Sequence, residues 1–202
     1  MKRMLWDRPE GSRMHNRQGD REDTPIYTAL GKAVSAWEGV NAAVASLFHA
    51  LHAGDEQEVD AFGGVFKVHD RANALREECA RFLDADFGDQ RDQAAKLKKS
   101  MRQVAGAYCE WAVRRNELAH GYVTEARCPD YGDDEQPIIT VYALLPSHAR
   151  LGAWSHAEPR FNYLAADIEL FAQRFRELDA RIEGIAKVAA ELYRFRSPKL
   201  GF

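Results

Sequence analysis

The sequence predicts an all-α fold. The expected form is an antiparallel helical bundle of four to five helices, with a small β-hairpin inserted before the last long helix. Two observations carry this. Four long segments repeat apolar residues at three- and four-residue steps, and such stripes are buried most economically against one another. One short run, Ile138 to Leu145, is β-branched and aromatic instead, and it precedes the last of those segments. A chain of 202 residues suits one domain, and a hydrophobic share of 46% suffices for a sizeable core.

Residues 1–23 are polar and unpatterned, which predicts a flexible N-terminal arm with Trp6 as its one anchor. Residues 24–202 form the expected helical domain. Its first helix is predicted over Pro25 to Leu51, with Thr24 as cap and Pro25 in the first turn. Leu30, Val34, Trp37, Val40, Val44, Leu47 and Leu51 form its stripe, and Gly54 ends it. A short segment broken by Gly63-Gly64 follows. The second helix is expected from Val65 to Asp86, burying Val68, Ala72, Leu75, Cys79 and Phe82. A cysteine on such a face is expected to be an inert core thiol.

The third helix is predicted from about Gln90 to His120. Its row of Leu97, Met101, Val104, Tyr108 and Trp111 runs into Arg115 and resumes at Leu118. An arginine in that row needs a partner or an opening to solvent. Residues 124–137 are acidic and turn-rich. The strand over 138–145 stops at Pro146, and Phe161-Asn162-Tyr163 is expected to return beside it, placing the β insertion at about 136–163. Trp154 and His156 lie in the connection. The last helix is predicted over Ala165 to Tyr193, with Ile168, Phe171, Phe175, Leu178, Ile182, Ile185 and Leu192 inward.

No run of about 18 apolar residues occurs, so no membrane span is expected. The first residues lack the apolar centre of a secretory signal, and Cys79, Cys109 and Cys128 are odd in number and widely spaced. Reduced thiols in a cytoplasmic protein are the plain expectation, and no metal or cofactor is expected. The net charge of -3 argues against a stoichiometric coat on duplex DNA. The charge is uneven, however. Between Arg91 and Arg115 seven cations face two carboxylates, Asp92 and Glu110. That stretch reads either as a solvated helix face or as a patch able to hold a polyanion.

The chemistry concentrates in residues 114–123, RRNELAHGYV. Gly121 offers a left-handed cap that would place His120 at the helix end. Asn116 and His120 are four apart and share a face. Arg115 and His120 are five apart, about 140° around a regular helix. Either the last turn distorts, or a second subunit supplies the missing side. An arginine can hold a phosphate bidentately, and a histidine can move the proton of a ribose 2′-hydroxyl or of a leaving 5′-oxygen. Asparagine can fix a phosphate oxygen or orient the histidine. The bland reading is that Arg, Asn and His cap carbonyls and make a salt bridge.

Arg115-Asn116-Glu117-Leu118-Ala119-His120 resembles the R-x4-H signature of the HEPN superfamily, named for higher eukaryotes and prokaryotes nucleotide-binding. RNELAHG is similar to the RNxxAHG form of many bacterial members. The resemblance implies a helical bundle that dimerises through the motif region. It implies a metal-independent endoribonuclease, toxin-like or defence-related, leaving 2′,3′-cyclic phosphate and 5′-hydroxyl ends. Carried residue by residue, Arg115, Asn116 and His120 take the catalytic positions. Arg114, Arg102, Tyr122 and Glu38 are the substrate-binding candidates. The implied partners are a second copy, single-stranded or looped RNA, and an antitoxin or other regulatory protein. The alternative is a non-catalytic nucleotide-binding or protein-interaction module, because some relatives are inactive.

Overall fold

The computed structural model describes residues 19–52, 56–65, 67–129, 138–146 and 162–195. Among them are five α-helices: α1 (Thr24–His52), α2 (Glu56–Gly63), α3 (Val68–Leu83), α4 (Arg91–His120) and α5 (Ala165–Tyr193). Strands β1 (Gly121–Pro129) and β2 (Ile138–Pro146) form an antiparallel pair before α5. The fold is therefore all-α with a hairpin insertion. The expected features at Trp6, Gly54, Trp154 and His156 lie outside the described residues. None of the described helices is long and apolar enough to cross a membrane.

The chain divides into two compact units. One comprises Met1–Ser35 and Arg114–Gln173, the other Ala36–Val113 and Arg174–Phe202. In the second unit, aromatic packing ties the helices together. Trp37 of α1 stacks on Tyr108 of α4 at 5.4 Å and meets the ring of Phe175 of α5 edge-on at 5.1 Å. Phe48 stacks on Phe62 of α2 at 4.1 Å. Phe82 of α3 contacts Phe87 and Tyr193 at 5.3 and 6.2 Å. Offset and edge-on aromatic pairs of this kind add to the burial of their large apolar area. Cys79 is buried on α3, and burial pushes its thiol up to about 12 from an ordinary 9.0, with the Glu78 carboxylate adding to the effect. It is thus the protonated, inert core thiol expected.

Between α3 and α4 the chain reverses through Phe87 and a single turn of 3-10 helix, Gly88–Gln90. Gly88 has φ 51°, the left-handed region that favours glycine. Its N–H donates to Asp86 Oδ1 at 3.1 Å. That bond, followed by nearby Arg91, holds the Asp86 carboxyl below its ordinary range.

In the first unit, helix α1 begins one residue earlier than expected. The Asp23 carbonyl accepts from Ile26 at 2.9 Å and Tyr27 at 3.1 Å, so Asp23, not Thr24, occupies the cap position. The stripe is also rotated there. Ile26, Ala29 and Ala33 are buried, while Leu30 is half-buried and Val34 is 38% exposed. Small alanines took the inward positions that large residues were expected to fill.

The hairpin differs most from expectation. Residues 121–129, assigned in part to an acidic loop, form β1, which pairs with β2 from Gly121↔Pro146 to Pro129↔Ile138. The insertion starts directly at the end of α4 rather than near residue 136. Tyr163 contributes only an isolated bridge to Leu144. A second bridge joins Asp20 to Tyr142, so this end of the expected arm has a backbone partner. The Asp20 carboxylate also accepts from the Ala165 N–H at 2.7 Å, and Asp167 accepts from the Leu164 N–H at 3.0 Å. Both satisfy amides at the start of α5 that have no partner within the helix.

Candidate functional site

Helix α4 stays α-helical through His120, and β1 begins at the next residue. The left-handed cap expected at Gly121 is absent: among the described glycines only Gly88 has a positive φ. Gly121 is needed for a different reason. A Cβ built there would lie 2.9 Å from the Glu117 carbonyl oxygen, 2.9 Å from Leu144 Cγ and 3.0 Å from the Leu145 carbonyl oxygen. The strand leaves the helix so tightly that only hydrogen fits.

Arg114 is 7% exposed. Its Nη1 donates to Glu117 Oε2 at 2.7 Å and to Tyr163 Oη at 2.6 Å. Tyr163 Oη in turn donates to the same Glu117 oxygen. Arginine, tyrosine and glutamate thus close a three-membered ring of hydrogen bonds. The Tyr163 hydroxyl is pushed far above its ordinary range, first by burial and then by the Glu117 carboxylate, with Arg114 pulling the other way. It keeps its proton and donates it. The buried arginine that needed a partner is therefore Arg114, and its guanidinium is turned to protein groups rather than to a surface open to RNA.

Arg115 is half-buried, and its Nη1 donates to Asn116 Oδ1 at 3.3 Å. Asn116 is half-buried as well, whereas His120 is exposed. With the last turn of α4 regular, Arg115 and His120 keep the roughly 140° separation of helical geometry. The structure brings Arg115 and Asn116 together, while His120, four residues on, shares the Asn116 side of the helix and stands away from Arg115. Tyr122 is half-buried on β1, opposite Leu145, and burial raises its hydroxyl.

The other two candidates belong to the second unit. Glu38 is exposed and accepts from Asn41 Nδ2 at 3.1 Å. Asn41 Oδ1 accepts from Tyr108 Oη at 3.1 Å, so Glu38 ends a short chain running to a buried tyrosine. Arg102 is exposed on α4 and lines a cleft against α3.

Two residues that matter here were missed in the sequence. Glu117 reads in the sequence as a neighbour able to favour a charged His120, yet it stands three residues after Arg114, a spacing that pairs charges on a helix. Tyr163 was assigned only to a strand, and nothing local signals that a residue 46 positions away would meet Glu117. Among the described residues no group of His, Cys, Asp and Glu could hold a metal ion. The chain matches no family model, no curated protein and no solved structure.

Proposed function

We propose that this chain is an HEPN-type, metal-independent endoribonuclease of the cytoplasm, working as a homodimer on single-stranded or looped RNA. The observation that carries the reading is the disposition of Arg115, Asn116 and His120 at the end of α4. A half-buried guanidinium steadied by an amide is suited to holding a phosphate, and an exposed imidazole is suited to moving a proton. One copy does not aim them at one atom, so the working centre takes a second copy of the same helix end.

In that centre Arg115 clamps two phosphate oxygens and offsets the charge that builds on them. His120 of one copy takes the proton of the ribose 2′-hydroxyl, whose oxygen attacks phosphorus. The protonated His120 of the other copy gives a proton to the leaving 5′-oxygen. The products are a 2′,3′-cyclic phosphate and a 5′-hydroxyl. Asn116 keeps the guanidinium oriented, and Tyr122 offers a ring edge to an unstacked base. Arg114 has no direct contact with RNA in this mechanism. Glu38 and Arg102, in the other unit, play no part in the chemical step.

A non-catalytic nucleotide-binding or interaction module is the second reading. It is favoured by the Arg114–Glu117–Tyr163 ring, which spends two ionic groups of the motif segment on holding the fold. Turnover of a single-stranded RNA in EDTA separates the two. The nuclease reading expects cleavage by the wild type, cyclic phosphate ends, and loss of cleavage in His120→Ala. Equal residual rates in both proteins, with RNA still bound, would favour the module.

A further inference from the structure

Helix α3 presents Arg76, Cys79, Ala80 and Leu83 on one face, and α4 presents Lys98, Met101 and Arg102. These spacings of three and four place each set along one side of its helix. Together they enclose a cavity of about 180 Å³ within the second unit. Its floor is apolar: Cys79 and Met101 are buried and Leu83 is half-buried. Its rim carries three exposed cations, Arg76, Lys98 and Arg102, and no carboxylate lines it.

That charge arrangement is costly. Lys98 and Arg102 stand four apart on one helix, where like charges repel, and Arg76 approaches from the facing helix. Among the described residues none of the three enters an ion pair. Glu78, the nearest carboxylate in sequence to Arg76 that is buried, is already paired with Arg81 at 2.8 Å. Asp86 is paired with Arg91 at 3.4 Å. Among the described residues, Arg76 makes one hydrogen bond, from Nη1 to Asn73 Oδ1 at 3.0 Å, which leaves the rest of its donor fork available. Leu83 and Lys98 also border a second, wider hollow of about 500 Å³ together with Phe87 and Ala94.

We propose that this α3–α4 cleft binds a small organic phosphate, its phosphate on Arg76, Lys98 and Arg102 and its apolar body on Cys79, Leu83 and Met101. Two guanidinium forks match phosphate oxygens, and an ammonium adds a point charge. The floor supplies no buried hydrogen-bonding side chain that a polar body would need. The volume is below the roughly 300 Å³ of pockets for drug-sized ligands, so the body is about the size of one aromatic ring. The inference is independent of the nuclease reading, since none of these residues acts in the chemical step.

Calorimetric titration of the full chain with phenyl phosphate at low ionic strength tests it. Saturable binding at one site is expected, with inorganic phosphate and phenol each at least about tenfold weaker, because each lacks one half of the recognition. Benzoate is expected to bind more weakly than phenyl phosphate. Arg102→Gln is expected to weaken phenyl phosphate about tenfold, the scale of a charge-assisted bond. Ala80→Phe, an exposed position, is expected to fill the cleft and abolish binding while the melting temperature holds. Inorganic phosphate binding as tightly as phenyl phosphate would reduce the site to a charged surface and overturn the proposal. So would binding that survives Ala80→Phe, benzoate binding equally well, or no saturable binding. Competition by single-stranded RNA that is unaltered in Arg102→Gln leaves the assignment standing. RNA displacing phenyl phosphate from the wild type but not binding Arg102→Gln would reassign the cleft to the nucleic-acid backbone.

Discussion

Tyr163 donates its hydroxyl proton to Glu117, 46 residues earlier in the chain, and the two meet over the buried Arg114. The bond joins the segment that enters α5 to the last turns of α4. It fixes where the motif helix ends relative to the hairpin bridge at Leu144↔Tyr163. Tyr163→Phe keeps the ring and its edge-on contact with Phe171 at 5.0 Å, and removes only the hydroxyl. Glu117 keeps Arg114 but loses one donor, and Arg114 loses one acceptor. The expected cost is about 1–2 kcal/mol, because a buried polar group left short of a partner pays its desolvation. Urea unfolding measures it. A change below about 0.3 kcal/mol would mean that water replaces the hydroxyl without loss.

Two glycines in or beside α4 should respond to alanine in opposite directions. At Gly121 the added methyl meets two backbone carbonyl oxygens at 2.9 and 3.0 Å, and backbone cannot swing aside. Gly121→Ala is expected to destabilise by about 1–3 kcal/mol, the usual range for overpacking. At Gly106, in the interior of α4, nothing lies within 4 Å of the added carbon. Gly106→Ala removes the entropy penalty of a mid-helix glycine and is expected to stabilise by about 0.5–1 kcal/mol. Thermal melts of the two variants against wild type give the signs directly, and equal signs would contradict this placement of the β1 entry.

The alkaline limb of stability should depend on Cys79. Its folded pKa of about 12 lies above the unfolded value near 9.0. A raised folded value means full stability below pH 9, and loss as the unfolded chain ionises while the fold retains its proton. The expected slope is about 1.4 kcal/mol per pH unit between pH 9 and 12 for this one group. Cys79→Ala removes the ionisable thiol. Stability differences between wild type and variant, taken at pH 8, 9.5 and 10.5, should therefore shift toward the variant as pH rises. A constant difference would show the thiol to be less buried than its position on α3 requires.

Long amphipathic repeats made much of the fold legible. Helix α5 runs over Ala165–Tyr193 as expected, and α4 over Arg91–His120. What the repeat does not reveal is which of two adjacent positions turns inward when the surroundings change. On α1, Ala29 and Ala33 displaced Leu30 and Val34 from the core. On α4, Arg115 continued the row but Arg114 was the one buried, because Tyr163 arrives from far along the chain to satisfy it. Strand β1 was obscured by composition: Glu125 and Pro129 suggested a loop, although Tyr122-Val123-Thr124 is a β-forming run that pairs with Leu145-Leu144-Ala143. Of the candidate site, the clustering of Arg115 and Asn116 was readable from adjacency, whereas the role of Glu117 needed its distant partner.

The two neighbouring arginines provide the sharpest separation of fold from function. Arg114 holds Glu117 and Tyr163 inside the first unit, and Arg115 is half-buried with an amide neighbour. Arg114→Met is expected to cost about 2–4 kcal/mol. Breaking one side of a buried ion pair is expensive, and the partial exposure of Glu117 moderates the loss. Arg115→Lys keeps the charge and much of the packing, so its stability should fall within about 0.5 kcal/mol of wild type. It loses the planar fork, and under the proposed mechanism RNA cleavage should drop about a hundredfold, the scale of removing one preorganised donor from a developing charge. Unfolding curves and single-turnover RNA cleavage on both variants resolve the pair. A stable, inactive Arg114→Met beside an active Arg115→Lys would move the phosphate contact to Arg114. The ring with Glu117 and Tyr163 would then have to open before RNA could bind.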